Sequence, residues 1–336
     1  MIDARAAVRA EIGGVERVAR ELSARLPALR PGRYAVARPP GALAHRAGHV
    51  WEQALLPVAA RRSELIYCPA NLAPLASRRN VVVIHDVAAL AHPEWYRRVY
   101  VRVQRLLLPA IARRARRVVT VSRFARGEIA RTFRLSEERI AVVPNGVSAR
   151  FHPGADPGPA RAAHRLDRPY VLSVGTLIAR KNLVALEAAE RRLAAEGIEL
   201  VTAGSGRGYM RAAANSPGRP LGYVRDDHLP GLYAGALALA MPSLYEGFGL
   251  PCLEAMVCGV PVVAAARGAL PETCGDAALL VDPDDGAALA DAVLRAATEQ
   301  PLRERLSAAG VERAAGFTWD RSAESTDRVI EELLGG

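Results

Sequence analysis

Apolar runs rich in valine, isoleucine and leucine recur along the chain, each closed by a polar or glycine-containing turn. SELIYCPA, NVVVIHD, RRVVTVS and RIAVVPNG are of this kind in the first half. Between them the apolar residues fall at helical spacing, as in GGVERVARELSARL and RFARGEIARTF. This alternation is the rhythm of βα units building a parallel sheet. SARFHPGADPGPARAAHRLDRP, Ser148 to Pro169, breaks it with prolines and glycines, and a domain boundary is expected there, dividing the chain into residues 1–160 and 161–336. A second series then begins with YVLSVGTL, IELVTAG, PLGYV, ALALAMPS, PVVAAA and AALLVD. The pattern predicts an α/β protein with two Rossmann-like, doubly wound parallel-sheet domains facing across a cleft. Ligands in such sheets sit outside the C-terminal ends of the strands.

Length and composition agree with this picture. The 336 residues are half apolar and about a quarter charged, enough for two domains with a large core. Cys68, Cys252, Cys258 and Cys274 form no C-x-x-C pair and read as reduced packing thiols. No signal peptide is visible, since Asp3 and Arg5 follow Met1 closely, and the most apolar stretch, YAGALALAMPSLY, is interrupted by Pro242. A cytoplasmic protein is expected, peripheral at the inner face of the cell membrane at most.

Charge changes the picture more. The net charge of +10 is uneven: residues 1–165 carry 29 basic and 12 acidic residues, the remainder 16 and 23. WYRRVYVRVQRLLLPAIARRARR, Trp95 to Arg117, holds eight arginines and no acid. Tyr96, Val99, Tyr100, Val103, Leu106 and Leu107 suggest its apolar helical face, with Pro109 forcing a kink or break. Such a segment, Arg97–Arg117, suits an anionic membrane surface; it suits equally a solvated arginine face on a helix packed against a sheet.

Of the 45 cationic residues a single one is lysine. Lys181 follows the strand YVLSVG, so the loop Gly175–Lys181 lies at a strand's C-terminal end. Asn182 is a candidate cap for the helix LVALEAAERRLAAEG. Two adjacent cations at a helix N-terminus make an anion site suited to a diphosphate, Lys181 as a point charge and Arg180 as a fork.

The most specific stretch is YEGFGLPCLEAMVCGVPVV, Tyr245 to Val263. Pro251 suits a helix's first position and Gly259 its stop. Glu254 then lies near the first turn and Glu246 in the preceding loop, with the amides of Phe248, Gly249 and Leu250 nearby. Ionised carboxylates that accept from hydroxyls suit a sugar and a ribose.

EGFGLPCLE carries an E-x7-E pattern and resembles the retaining glycosyltransferases of family 4, which have the GT-B fold. GGVERVAREL, IHDVAALAHPEWY, VVTVSRFARGEI, VVPNGV, VGTLIARKNL, LGYVRDDHLPGLYAGA and GALPETCGDAALLVDPDD extend the likeness over nearly the whole chain. The resemblance implies transfer of a hexose from a nucleotide-diphosphate sugar, with retention and with no cofactor or metal. It implies that Arg180 and Lys181 bind the diphosphate, Glu254 the ribose, and Glu246 with residues 248–250 the transferred sugar. Gly13 and Gly14 would face phosphates and acceptor, His85 the donor sugar, and the Tyr223 and Val224 backbone the base; Gly175, Gly204 and Gly247 complete the donor-binding set. The last helix, about 318–334, is expected to pack back towards the first domain. Family members usually begin with a full strand before the glycine loop, but only MIDARA precedes EIGG, so the first strand is short or truncated, or the start codon is misassigned. Among family members the blocks look most like mannosyl- and rhamnosyltransferases, which favours GDP over UDP or dTDP as the donor's base, with a saccharide or lipid-linked acceptor.

Rival readings are narrower. TAGSGRG, Thr202 to Gly208, has the glycines of a dinucleotide fingerprint but falls late in its domain. VDPDD has metal-transferase D-x-D spacing, though a turn and helix cap explain it. His85 can also be a satisfied histidine at a strand end, with Asp86 capping the next helix. A GT-B sugar-nucleotide epimerase would share the fold. The basic half carries no nucleic-acid motif, and no nucleic-acid partner is expected.

Overall fold

The structure, a computed structural model, describes residues 1–9, 12–41, 43, 48–206, 208–210 and 216–335. They form two compact units. The first comprises Met1–Pro93, Arg98–Gly146 and Thr318–Gly336, the second Glu94–Arg97 and Val147–Phe317.

The first unit holds β1 (Ile2–Asp3), β2 (Val36–Ala37), β3 (Ile66–Cys68), β4 (Asn80–Val83), β5 (Arg117–Thr120) and β6 (Ile140–Val142). All pair in parallel, in the order β2-β1-β3-β4-β5-β6. β1 has two residues. Strand alternation divides the core in two. Ile66, Cys68, Val82 and Val118 pack with Leu108, Ile111, Ile129 and Phe133 of the helices Arg98–Arg114 and Arg123–Phe133. Tyr67, Val81, Val83 and Val119 face the other way, against Val18, Leu22 and Leu26 of the helix Gly14–Leu29 and Trp319 and Ile330 of the last helix, Trp319–Gly335. Both faces are covered, which is why these strands read as continuous apolar runs.

The last helix thus belongs to the first unit, and charge as well as packing fixes it there. Arg25 reaches Asp320 at 2.8 Å and Arg30 reaches Asp327 at 2.7 Å. The Tyr34 hydroxyl donates to Asp327 at 2.6 Å and Arg33 meets Glu331 at 3.2 Å. Part of the first half's basic excess is therefore matched by acids from the far end of the chain.

The basic segment departs from expectation twice. Its helix runs unbroken from Arg98 to Arg114 through Pro109. The carbonyl that the proline leaves without an N–H is that of Arg105, on an exposed residue where water can satisfy it. The buried stripe is Val101, Gln104, Leu108, Ile111 and Ala112, not the face through Val99 and Leu106, which are 71% and 74% exposed. Apolar residues occupy both sides, and the arginine-free side faces the sheet.

The second unit holds β7 (Tyr170–Val174), β8 (Glu199–Ala203), β9 (Arg219–Gly222), β10 (Ala238–Met241), β11 (Val262–Ala265) and β12 (Ala278–Val281). They are parallel too, ordered β12-β11-β10-β7-β8-β9. The strand order reverses between β7 and β10, so the loops after these strands diverge and leave a crevice at their C-terminal ends.

Candidate active site

In the second unit the loop after β7 carries Gly175 and Lys181, and the loop after β10 carries Glu246. The Lys181 ammonium donates to Glu246 Oε1 at 2.6 Å. Arg180 stands 3.9 Å from Glu246 Oε2 and donates to the Tyr245 carbonyl at 3.2 Å, while Leu244 N–H donates to the Arg180 carbonyl at 2.9 Å. The two switch-point loops are thus joined through backbone and charge. Lys181 and Glu246 are both buried. Burial pushes the Glu246 carboxyl up, but the Lys181 and Arg180 charges and bonding from Lys181 and Ser243 outweigh it and hold it below its ordinary range.

Glycine makes this close approach possible. A Cβ on Gly175, at φ +154°, would fall 2.6 Å from Lys181 Cε. One on Gly204, at φ +147°, would fall 1.8 Å from the Gly175 carbonyl oxygen. The two glycines therefore stack under the lysine stem, and a thin, flexible stem with a compact head is what the passage admits. The loss of side chains at 175 and 204 and the single lysine at 181 are one packing solution.

Asn182 stands before a 3₁₀ turn, Leu183–Leu186, but its side chain caps no helix. It adopts a left-handed conformation at φ 51° and its side chain donates to the Pro283 carbonyl at 3.1 Å. Arg180 and Lys181 sit in a 3₁₀ turn, Ala179–Lys181, and the α-helix begins only at Glu187. The helix N-terminus adjoining the site is instead that of Leu250–Val257, which starts directly after the Glu246 loop. Pro251 lies in its first turn. Gly259 stops it: Gly259 N–H donates to the Met256 carbonyl and Val260 N–H to the Ala255 carbonyl, both at 2.9 Å.

Glu254 lies in the second turn of that helix rather than the first. It is buried, and its Oε2 accepts from the Tyr233 hydroxyl at 2.9 Å. The Phe248 carbonyl accepts from the Thr273 hydroxyl at 2.5 Å, and the Glu246 carbonyl accepts from Ala269 N–H at 3.0 Å. Gly247, Gly249 and Leu250 continue this anchored loop. Gly222 closes β9 by accepting from Gly204 N–H at 2.8 Å; Tyr223 beyond it is exposed and Val224 buried.

In the first unit the strand order reverses between β1 and β3, and the candidate residues again follow the strands. Gly13 precedes the helix Gly14–Leu29, and its N–H donates to Glu16 Oε2 at 3.0 Å. Glu16 Oε1 accepts from Arg9 at 3.0 Å. His85, after β4, is buried, its Nε2 lies 2.9 Å from the Pro69 carbonyl, and its N–H donates to Asn71 Oδ1 at 2.9 Å. A carbonyl only accepts, so Nε2 carries the proton and Nδ1 is the acceptor. Burial lowers the His85 pKa, keeping the ring neutral. Asp86 also behaves as the bland reading expects, accepting from Ala88 N–H at 3.0 Å.

The rival motifs have other work. Asp285 caps the helix Gly286–Thr298 through Ala287 N–H at 3.1 Å and Ala288 N–H at 2.9 Å. Asp282 and Asp284 meet Arg267 at 3.3 and 2.9 Å. Of TAGSGRG, Arg207 lies outside the described residues, as does Glu11 of EIGG; Gly204–Gly206 open no helix.

Ser243, Tyr233, Asn71 and Glu16 were not singled out by motif. Glu16 was readable as the glutamate of a G-x-x-E capping pattern. The other three meet their partners only through the fold.

Comparison with known proteins agrees with these elements. The model of glycosyl transferases group 1 matches residues 168–299, and that of glycosyltransferase family 4 matches residues 59–151. The O-antigen chain mannosyltransferase B of Escherichia coli is 34% identical over 275 residues, 75% of this chain and 70% of the relative. A D-inositol 3-phosphate glycosyltransferase of Actinosynnema mirum is 38% identical over 56% of this chain; the chain spans 50% of that relative. The Anabaena protein Alr3699/HepE, solved with UDP and glucose, shares the fold at a TM-score of 0.71 and 18% identity, over 96% of this chain and 97% of its own. Two six-stranded parallel sheets, family models in each half and a relative matched over most of its length identify the chain as a member of the group 1 glycosyltransferases of family 4, with the GT-B fold.

Proposed function

We propose that this enzyme moves a hexose from a nucleotide-diphosphate sugar to a saccharide or lipid-linked acceptor with retention, and that the donor is of the GDP-mannose type. The reading rests on one observation above all: Arg180, Lys181 and Glu246 converge at the β7–β10 switch point, two cations and a carboxylate preorganised where a sugar diphosphate would lie. Transfer requires the departing diphosphate to be stabilised as its charge develops, and fixed cations supply this without reorganisation. Arg180 and Lys181 hold the phosphates, Glu246 takes hydroxyls of the sugar, and Glu254 takes the ribose. These cations provide charge that a divalent ion provides elsewhere, so no metal is required. The acceptor's proton passes to the leaving phosphate on the same face, and no protein nucleophile is needed. Gly13, Gly14 and neutral His85 keep the roles the family resemblance implies. The mannose preference is supported by the 34% identical relative, a mannosyltransferase.

No helix among the described residues is long and apolar enough to cross a membrane. The exposed Val99 and Leu106 flanked by Arg98, Arg102 and Arg105 support contact with an anionic bilayer, which would bring a lipid-linked acceptor within reach.

Thermal-shift measurements with GDP, UDP and dTDP, each with and without EDTA, test the proposal. Stabilisation by GDP above the others, unchanged by EDTA and weakened in Lys181→Ala, is expected. Indifference to all three would refute the donor reading.

A further inference from the structure

The two groups assigned to the donor already hold each other. Lys181 Nζ lies 2.6 Å from Glu246 Oε1, and each side chain is only 9% exposed. Yet the diphosphate asks for the ammonium, and the sugar asks for the carboxylate. An added dianion competes with Glu246 for the same cations, because a doubly charged phosphate attracts them more strongly than a singly charged carboxylate does. As Lys181 turns towards phosphate, Glu246 loses its closest partner, with Arg180 left 3.9 Å away and drawn to the same phosphate, and a buried carboxylate that loses a partner is costly.

Ser243 is placed to meet that cost. It is completely buried in the loop after β10, and it acts on the Glu246 carboxyl. Its hydroxyl nevertheless makes no hydrogen bond of normal geometry. Ser243 and Lys181 also border one small cavity, together with Ser173, Gly175 and Met241. There is thus a hydroxyl next to the carboxylate that can tighten its hold, and a small cavity beside the lysine.

We infer that Lys181 and Glu246 form a latch which the donor's diphosphate opens, and that Ser243 is the positioning residue that receives Glu246 once Lys181 has turned to phosphate. This rests on the donor reading above. The latch keeps the empty site neutralised, and the hydroxyl keeps Glu246 aimed at the sugar after opening. The consequence is a division of labour: Glu246 opposes binding of the bare diphosphate and favours binding of the intact sugar nucleotide.

Calorimetric titration with GDP and with UDP, on wild type, Glu246→Gln and Ser243→Ala, tests this. In Glu246→Gln the lysine is released, and whichever nucleoside diphosphate wild type binds should bind ~3- to 30-fold tighter, the scale of one charge pair. Should that variant fold poorly, Glu246→Asp, whose carboxylate is withdrawn from Lys181, should show a smaller tightening in the same direction. Ser243→Ala should bind the diphosphate within about twofold of wild type, while KM for the sugar nucleotide rises about fivefold or more. Ser243→Thr, which keeps the hydroxyl, should restore it. Weaker diphosphate binding in both Glu246 variants would overturn the latch, because Glu246 would then be holding Lys181 in place. An unchanged KM in Ser243→Ala would overturn the role of Ser243. If wild type binds neither diphosphate, the donor reading itself fails, a result distinct from either.

Discussion

The two units share one plan, a six-stranded parallel sheet whose order reverses once, and solve different problems at the point of reversal. In the second unit the switch-point loops carry opposite charges that meet at 2.6 Å over stacked glycines. In the first, the candidate residues are a neutral histidine tied to a backbone carbonyl, a left-handed asparagine at φ 67° and a capped glycine loop. In the second unit the ion pair joins the two switch-point loops, whereas in the first the ion pair, Arg9–Glu16, ties down the glycine loop and the histidine is held by hydrogen bonds alone. A diphosphate is much the same in every sugar nucleotide, so fixed cations serve it well.

The largest effect that would sharpen this contrast is on the lysine. Lys181→Arg should lower turnover on the order of 100-fold, the scale of one preorganised donor, with the melting temperature within a few degrees of wild type. Activity near wild type would show that charge alone suffices and that the passage over Gly175 is not selective. Gly175→Ala adds a methyl at 2.6 Å from the lysine stem in a backbone region alanine avoids. It should cost activity comparably and about 1–3 kcal/mol of stability as well, measured by denaturant unfolding.

The first unit's site should respond to pH through its histidine. Burial lowers the His85 pKa below its ordinary 6.5, so below pH 6.5 the unfolded chain binds a proton that the folded chain refuses. Stability should therefore fall as pH drops from 6.5 towards the folded pKa, by at most about 1.4 kcal/mol per pH unit. His85→Asn should flatten that slope; an unchanged slope would place the ring in water and break the comparison.

The smallest effect concerns how the first unit closes. Tyr34→Phe removes one donor to the buried Asp327 and should lower stability by about 1 kcal/mol, with no change in nucleotide binding. A loss of nucleotide binding would show that the last helix matters to the donor site as well as to its own unit.

Legibility in the sequence followed the same division. The central strands of both sheets were visible because burial on two faces leaves unbroken apolar runs such as NVVV and YVLSV, whereas the two-residue edge strand Val36–Ala37 is too short to show a pattern. EGFGLPCLE was visible because Glu246, Gly249, Pro251 and Glu254 act within one loop and helix. Asn182 misled because asparagine suits both a cap and a left-handed turn, and Pro283, its partner, is 101 residues away. The face of Arg98–Arg114 was misread because valines and leucines lie on both sides, and only the sheet decides which side is covered. Ser243 and Asn71 could not be read, since a serine or an asparagine in a loop acquires meaning from what folds next to it.

The lone lysine has one more consequence, for chemistry done on the protein rather than by it. With a single lysine in 336 residues, the candidate phosphate site holds the chain's one side-chain primary amine. Besides the α-amino group of Met1, an amine-directed probe has this buried side chain alone to label, so labelling at 181 reports on the site, and a lysine-specific protease acting on the unfolded chain has one place to cut, between residues 181 and 182. Composition has left the molecule with a built-in address, and occupancy of the site can be read by whether that address still answers.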